Sequence, residues 1–266
     1  MESILEVKQL TKNFGGLRAL DSLDMDIKKG EIVALIGPNG AGKTTFFNCI
    51  TGIYTPTQGD VIIAPPGKKR ERINGLKPNK ITIKGMARTF QNIRLFPSMT
   101  VLENVMIGRH CRTRVGIAGA IFRNRRTLKE EKNIVDTSYN ILEKMGLARY
   151  VNDLAMNLPY GAQRRLEIAR AMATEPFLIL LDEPAAGMNP QETLELDDLI
   201  VKIRDKEGIS LLLIEHDMKL VMSLSDRIFV MDYGKKIAQG TPEEIQNNPV
   251  VIKAYLGEDL IEDKDA

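Results

Sequence analysis

One short segment limits what this chain can fold into more than any other part of the sequence. Residues 37–44 read GPNGAGKT and fit the pattern GxxxxGK[ST] at every position. A continuous apolar run, residues 32–36, precedes the segment, and residues 45–50 are typical of a helix. A buried strand, a glycine-rich turn and a helix predict a P-loop, in which backbone N–H groups hold phosphate. A turn that binds nothing would not need the lysine and the hydroxyl that end the motif.

Each residue type in the P-loop suits the binding of a nucleoside triphosphate. The glycines let the backbone curve around the β- and γ-phosphates, and Lys43 supplies a positive charge. The Thr44 hydroxyl is expected to ligate Mg²⁺. The residues expected to contact ATP here are Gly37, Pro38, Asn39, Gly40, Ala41, Gly42, Lys43, Thr44 and Thr45.

A second apolar run, residues 178–181, ends in two carboxylates. A carboxylate at the end of a buried strand beside the P-loop strand can hold the magnesium shell, so Asp182 is an expected metal ligand. Glu183 then lies where it can polarise an attacking water. Many strands end in exposed acids, but the combination with a P-loop indicates nucleotide hydrolysis. The NKxD signature of guanine-specific proteins is incomplete, because Ile81 and Thr82 follow Asn79 and Lys80.

The remaining patterns predict the architecture. Residues 4–7 and 23–27 alternate as antiparallel strands do, residues 92–157 read mostly helical, and apolar strands return at 211–214 and 228–231. The fold class is therefore α/β: a P-loop NTPase core with a parallel sheet, an N-terminal antiparallel β subdomain and an inserted α-helical subdomain. The basic, turn-rich residues 65–84 are expected to form a solvated loop on a long hairpin, with Pro78 as a breaker.

Composition excludes several classes of protein. The 37 basic and 35 acidic residues nearly balance, so no nucleic-acid partner is expected. No apolar stretch approaches the roughly 20 residues that a membrane-spanning helix needs, and the N-terminus lacks a signal-peptide pattern. The chain is therefore expected to be cytoplasmic and to work at a membrane only by docking onto other chains. Cys49 and Cys111 have no metal-ligand spacing and are expected to be reduced thiols.

Five further features, in order along almost the whole chain, resemble the ABC ATPase family. Phe14 stands where the family places an aromatic residue that stacks on adenine. Gln91 matches the Q-loop, which contacts the metal site and faces the membrane partner. Residues 158–163 match the signature motif, Asn189 lies at the D-loop position, and His216 matches the switch histidine. Each feature alone has a structural explanation, such as a core aromatic or a structural histidine, but their order behind a complete P-loop favours the family.

The resemblance implies roles and a domain plan. Its catalytic residues are Lys43, Gln91, Glu183 and His216, and its metal ligands are Thr44, Gln91 and Asp182. In the family, two ATP molecules are sandwiched between two head-to-tail domains, so the signature residues would bind the ATP of a second subunit. The signature residues are Leu158, Pro159, Tyr160, Gly161, Ala162 and Gln163. A single domain would span residues 1–257, with a core of 1–91 and 164–257 and a helical subdomain of 92–163. Residues 258–266 would form an acidic tail.

Several strings narrow the resemblance to the ATPase subunits of branched-chain, or hydrophobic, amino-acid importers. This narrower resemblance implies that the chain lies on the inner face of the cell membrane. It also implies two membrane-spanning permease subunits as partners and, indirectly, an external solute-binding protein. The strings are residues 37–48, 89–94, 164–170, 184–190, 214–222 and 249–257. The alternatives are a soluble ABC ATPase of translation or DNA maintenance, which usually has two nucleotide domains, and a nucleotide-sensing module that would lack Glu183 or His216. A P-loop kinase would have no signature motif.

The signature departs from the usual LSGGQ. Pro159 replaces the serine, Tyr160 the first glycine and Ala162 the glutamine, while Asn189 replaces the usual D-loop aspartate. Proline has neither a hydroxyl nor an N–H to donate. Our hypothesis is that the chain pairs with a different ATPase whose signature is orthodox, so that one composite site is fully competent and the other is weaker. A homodimer is the alternative.

Overall fold

In a computed structural model of the chain, residues 2–113 and 125–256 are described, and the predicted acidic tail, residues 258–266, lies outside them. The strands are β1 Ser3–Phe14, β2 Leu17–Lys28, β3 Ile32–Ile36, β4 Gln58–Ile63, β5 Glu71–Arg72, β6 Met86–Arg88, β7 Leu178–Asp182, β8 Ser210–Ile214, β9 Arg227–Asp232 and β10 Lys235–Gly240. The helices are α1 Lys43–Ile50, α2 Pro78–Lys84, α3 Val101–Arg109, α4 Arg125–Lys144, α5 Tyr160–Met172, α6 Pro190–Glu207, α7 Met218–Leu224, α8 Pro242–Gln246 and α9 Pro249–Leu256.

The larger sheet has the order β10-β9-β3-β8-β7-β6 and is parallel except for β10. Every residue of β3, β7 and β8 is buried, because helices cover both faces of a parallel sheet. The expectation that the strand of Asp182 lies beside the P-loop strand is wrong, since β8 lies between β3 and β7. The carboxyl ends of parallel strands nevertheless meet at one edge of the sheet, which is where the motifs lie.

The smaller sheet is antiparallel, with the order β2-β1-β4-β5. Its buried residues pack with α1 and with one face of the larger sheet in a single cluster that includes Leu5, Val33, Phe46 and Phe47. The predicted strands at 4–7 and 23–27 are the inner parts of β1 and β2, which extend further in both directions. The apolar face of this sheet therefore holds the P-loop helix from one side.

Helices α3, α4 and α5 form the helical part of the chain, and α5 packs against α3. The buried residues Ile141 and Leu142 lie near the end of α4, Met145 comes directly after it, and Gly146 follows with a φ of 67°. The predicted boundaries of the helical subdomain, residues 92 and 163, stay a prediction. Helix α5 continues across residue 163 without a break, so the helix itself marks no boundary there. Among the described residues, no helix is both long enough and apolar enough to cross a bilayer.

The segment 65–84 is more ordered than a solvated loop. Strand β5 pairs with β4, and α2 begins at Pro78. The prediction that Pro78 breaks regular structure was wrong, because the first position of a helix needs no N–H donor and suits the fixed φ of proline. Three of its basic residues, Arg70, Arg72 and Lys84, pair with acidic ones; Lys84 Nζ lies 2.6 Å from a carboxylate oxygen of Glu71.

Candidate functional site

The P-loop connects β3 to α1, and its shape is fixed by close neighbours. Gly37 has a φ of 151°, and a Cβ atom there would lie 2.1 Å from the carbonyl oxygen of Met231. Gly42 has a φ of 99°, and a Cβ atom there would lie 2.8 Å from the carbonyl oxygen of Ala19. Both positions therefore require glycine. The loop can keep its curvature only while β9 and β2 lie against it.

Lys43 is buried, with 7% of its surface exposed. Its Nζ atom donates to the carbonyl oxygens of Gly37 at 2.6 Å and Pro38 at 2.9 Å, so the ammonium group lies against the start of the loop. Burial lowers the pKa of Lys43, and the charge of Glu183 opposes this shift. A phosphate in the loop would supply the ammonium group with a further negative partner.

Glu183 follows β7 and has a strained backbone, with a φ of 47° that a non-glycine residue rarely adopts. Gln91 Nε2 donates to Glu183 Oε2 at 2.6 Å, and His216 Nε2 lies 3.1 Å from Glu183 Oε1. Three residues from separate parts of the sequence thus meet around one carboxylate. The structure brings these predicted site residues together through direct hydrogen bonds.

Asp182 has a partner that the sequence analysis missed. Arg88 Nη2 donates to Asp182 Oδ2 at 2.6 Å, and both side chains are less than one-tenth exposed. Arg88 also donates to Asn48 Oδ1 at 2.7 Å and to Thr51 Oγ1 at 3.2 Å, which ties β6 to α1. A carboxylate buried at this depth needs a counter-charge. In the sequence, that need was the only indication that a residue such as Arg88 pairs with Asp182.

The donors around the P-loop fit Mg²⁺ and a nucleotide phosphate. Thr44 offers a hydroxyl, Gln91 an amide oxygen and Asp182 a carboxylate, and oxygen ligands of this kind suit Mg²⁺. The close approaches at Gly37 and Gly42 leave a cradle of bare backbone that only glycine can form. The residues present are therefore compatible with both groups.

Phe14 lies at the end of β1 and is 41% exposed. The Tyr54 ring meets it edge-on, with centroids 5.2 Å apart and planes at 80°, and Lys12 Nζ lies 4.9 Å from the Phe14 centroid. An exposed aromatic ring held by an edge-to-face neighbour suits the stacking of a flat base. Tyr54 and Lys12 belong to no motif, so the sequence analysis could not predict their contacts with Phe14.

The signature segment lies at the start of α5. Leu158 and Ala162 are buried, and Pro159 takes the N-cap position without a side-chain hydrogen bond. Gln163 Nε2 donates back to the carbonyl oxygen of Leu158 at 2.9 Å. A Cβ atom on Gly161 would lie 2.7 Å from Glu192 Oε1. Within the described part of the chain, no recorded hydrogen bond joins this segment to the P-loop.

Asn189, at the D-loop position, begins α6. Its Oδ1 accepts from the Glu192 N–H at 3.0 Å, and Glu192 Oε2 accepts from the Asn189 N–H at 3.1 Å. This reciprocal pair is a capping box. Asparagine and aspartate serve about equally well as N-caps, so the structure shows how the replacement keeps the start of α6 intact.

Glu215 is a second residue that the sequence analysis missed. It is 4% exposed, and its two oxygens accept from the N–H groups of Ala185 at 2.8 Å and His216 at 3.0 Å. Burial raises the pKa of Glu215, and these backbone donors oppose the shift. Glu215 therefore joins the backbone that follows Glu183 to the backbone that carries His216.

Asp197, on α6, lies in a group of acidic side chains. Burial raises its pKa from 3.8 to about 6, and the charges of Asp217, Asp198 and Glu215 add to the shift. Because the folded state then binds more protons than the unfolded state between about pH 4 and 6, stability falls as the pH rises through this window. Asp197→Asn should therefore stabilise the fold at pH 7.5 by about 1 kcal/mol, allowing for solvent screening.

Urea unfolding of the wild type and the variant at pH 4.5, 6 and 7.5 checks this expectation. The gain should shrink as the pH falls, because both proteins then carry a neutral side chain at position 197. Asp136→Asn, at an exposed position of α4, is the control and should show no such trend. A gain that stays constant with pH would assign the effect to packing rather than to charge.

Comparison with known families identifies the chain. The family model described as ABC transporter matches residues 20–186, which is more than half of the sequence. The chain belongs to the ABC transporter family. A second model, described as branched-chain amino acid ATP-binding cassette transporter, matches residues 235–260. The family resemblance drawn from the motifs is thereby confirmed.

Curated relatives of this ABC protein align over nearly their full length. The high-affinity branched-chain amino acid transport ATP-binding protein LivG of Salmonella typhimurium is 48% identical over 258 residues, covering 97% of this chain and 99% of its own length. The corresponding protein BraF of Pseudomonas aeruginosa is 49% identical over 255 residues, covering 96% and 98%.

Solved structures of ABC cassettes share the fold. An ATP-binding cassette of an ABC transporter in its ADP conformation matches with a TM-score of 0.83 at 32% identity, over 97% of this chain and 100% of its own. A nucleotide-free ATP-binding cassette from an ABC transporter matches with a TM-score of 0.82 at 33% identity and the same coverage. The predicted fold class is confirmed.

Proposed function

We propose that this chain is the ATP-hydrolysing subunit of an importer for branched-chain or other hydrophobic amino acids, bound to the cytoplasmic face of the cell membrane. The hydrolytic part rests on one observation: Gln91 and His216 both contact the Glu183 carboxylate. The substrate class rests on the similarity to LivG and BraF along almost the whole chain.

The chain's own residues suit the steps of hydrolysis. The P-loop N–H groups and Lys43 bind the phosphates of ATP, while Phe14 stacks on the base. Glu183 accepts the proton of the attacking water, and Gln91 and His216 hold its carboxylate in position. Thr44, Gln91 and Asp182 would hold Mg²⁺, which when bound neutralises part of the phosphate charge.

The signature of this chain serves a second ATPase subunit. The first N–H groups of α5 follow Pro159, which is exposed and makes no side-chain hydrogen bond to them. A helix start of this kind can accept an anion from a partner. Because Pro159 offers no hydroxyl, the composite site that uses residues 158–163 binds ATP more weakly. A mixed pair with an orthodox partner is favoured over a homodimer for this reason.

The permease subunits dock in a groove of about 620 Å³ beside the Q-loop. Its lining includes Ile83, Phe96 and Ile107 together with Arg94 and Arg170. Ile83 is 41% and Phe96 45% exposed, and both leave apolar surface open to solvent in the same groove. The groove also borders Phe90, next to Gln91, so a permease segment bound there would lie near the residue that contacts Glu183.

Affinity purification of this chain from its native membranes tests the proposal. Multi-spanning membrane proteins and a second ATPase should co-purify. Phe96→Ser should lower their recovery about 10-fold, because burial of a phenylalanine contributes on the order of 1.5–3 kcal/mol. Leu17→Ser, at a 68% exposed site on β2, is the matched control and should leave recovery unchanged. Recovery of only ribosomal, nucleic-acid-bound or soluble partners would overturn the transport role and leave the ATPase assignment standing.

A further inference from the structure

Tyr160 makes a contact that a glycine at this signature position could not make. Its hydroxyl donates to the carbonyl oxygen of Ala186 at 2.9 Å. Ala186 follows Glu183 by three residues, in the turn of residues 185–187 that leads to α6. The start of α5 is therefore fastened to the backbone that follows Glu183.

The turn of residues 185–187 is shaped to receive the Tyr160 ring. Gly187 has a φ of 79°, and a Cβ atom there would lie 3.3 Å from the Tyr160 hydroxyl oxygen and 3.4 Å from ring carbons. Glu215 also holds this turn, because its carboxylate accepts from the Ala185 N–H. The turn is therefore hydrogen bonded to both Tyr160 and Glu215.

Arg164 continues the connection from Tyr160 to the Q-loop. Its side chain is fully buried, and its Nη2 atom lies 3.4 Å from the Tyr160 hydroxyl and 2.8 Å from the carbonyl oxygen of Gln91. Nη1 donates to the carbonyl oxygen of Phe90 at 2.8 Å and to Glu167 at 2.9 Å. Because the planar guanidinium group fixes these donors relative to each other, its contacts with Tyr160 and with the carbonyl groups of Phe90 and Gln91 belong to one rigid unit.

We propose that Tyr160 is a positioning residue that ties the turn of residues 185–187 to the Q-loop through Arg164. A displacement of Gln91 then moves the turn, and with it the backbone that leads from Glu183 to Asn189. The effect on hydrolysis rests on the proposed function, whereas the hydrogen-bonded connection itself is a property of the isolated chain.

Hydrogen exchange on the isolated full chain tests the connection. The reporters are the amides of Ala186 and Met188, which donate to Glu183 and Ala185 within the turn. Tyr160→Phe keeps the ring and removes the hydroxyl, so these amides should exchange about 3–10-fold faster. Tyr139→Phe, at an equally exposed tyrosine of α4, should leave them unchanged. Equal exchange in the wild type and Tyr160→Phe would overturn the proposal.

A double-variant cycle tests the part played by Arg164. Arg164→Lys keeps the charge but loses the planar guanidinium group with its two donor nitrogens, so it should also speed hydrogen exchange at the Ala186 and Met188 amides. If one connection passes through both residues, Arg164→Lys adds little in a Tyr160→Phe background. Fully additive effects would show two independent contacts and would reject the relay.

The kinetic consequence is measured on the purified transporter complex. Tyr160→Phe should lower kcat about 3–10-fold and leave the KM for ATP within about twofold, because the hydroxyl that is lost is bonded to Ala186 within its own chain and the backbone N–H groups of the signature remain. A merely structural role would lower the amount of folded complex instead. An unchanged kcat would overturn the coupling to hydrolysis. If the wild-type chain joined no transporter, the proposed function would fail, and the exchange measurement would still decide the connection.

Discussion

Glu183→Gln should leave ATP binding intact and lower the rate of hydrolysis about 10²–10⁴-fold. Glutamine has nearly the same shape, and its amide can still hydrogen bond to Gln91 or His216. It cannot accept the proton of the attacking water at neutral pH. The P-loop is untouched, because Lys43 is held by the carbonyl groups of Gly37 and Pro38.

Single-turnover hydrolysis and equilibrium binding of labelled ATP, measured on the same preparation, separate the two steps. Glu207→Gln changes a surface carboxylate that pairs with Lys144 rather than with a residue of the site, and serves as the control. Near-normal turnover in Glu183→Gln would remove Glu183 from the role of general base. A parallel loss of ATP binding would instead assign it a part in forming the pocket.

Arg164→Met should destabilise the fold by about 3–5 kcal/mol. The substitution leaves the Glu167 carboxylate buried without its partner and removes the donors to the carbonyl groups of Phe90 and Gln91. Burial already raises the pKa of Glu167, and Arg164 is the largest influence that opposes this shift. Without Arg164, Glu167 at 2% exposure would keep weaker contacts, with the Arg94 N–H at 3.3 Å and the Arg170 guanidinium at 4.0 Å, so it must take up a proton or remain charged at high cost.

Urea unfolding measures this loss, and the adjacent position supplies a matched control. Arg165 has the same side chain and also pairs with a glutamate, Glu195, but it is partly exposed at 18%. Arg165→Met should therefore cost less than about 1 kcal/mol. Adding Glu167→Leu to Arg164→Met should recover part of the stability, because it removes the unpaired charge. If both variants lost the same free energy of unfolding, burial would not be the reason for the larger expected effect at Arg164.

The local motifs predicted the fold class and most of the candidate site residues. A P-loop is one continuous segment, so its glycines, Lys43 and Thr44 could be recognised without knowledge of their neighbours. Gln91, Glu183 and His216 come from separate segments, and their order along the chain pointed to the family. Their meeting around a single carboxylate is visible only in the structure.

The residues that the sequence did not reveal are those whose role depends on a distant partner. Arg88, Glu215 and Arg164 are ordinary charged residues in the sequence, and each becomes distinctive only because folding buries it against a specific acceptor or donor. Strand β8 was predicted, but its position between β3 and β7 was missed for a related reason, since strand order in a parallel sheet depends on crossovers and not on the strands' own residues.

The sequence by itself determined that the chain folds around a P-loop and belongs with the ABC ATPases, because those properties are written in contiguous motifs and their order. Only the tertiary structure decided which side chains hold those motifs in place: Arg88 on Asp182, Glu215 on Ala185, and Tyr160 with Arg164 between the turn and the Q-loop. The physical reason is burial. A polar group removed from water needs a partner, and only the folded chain determines which residue lies close enough to be that partner.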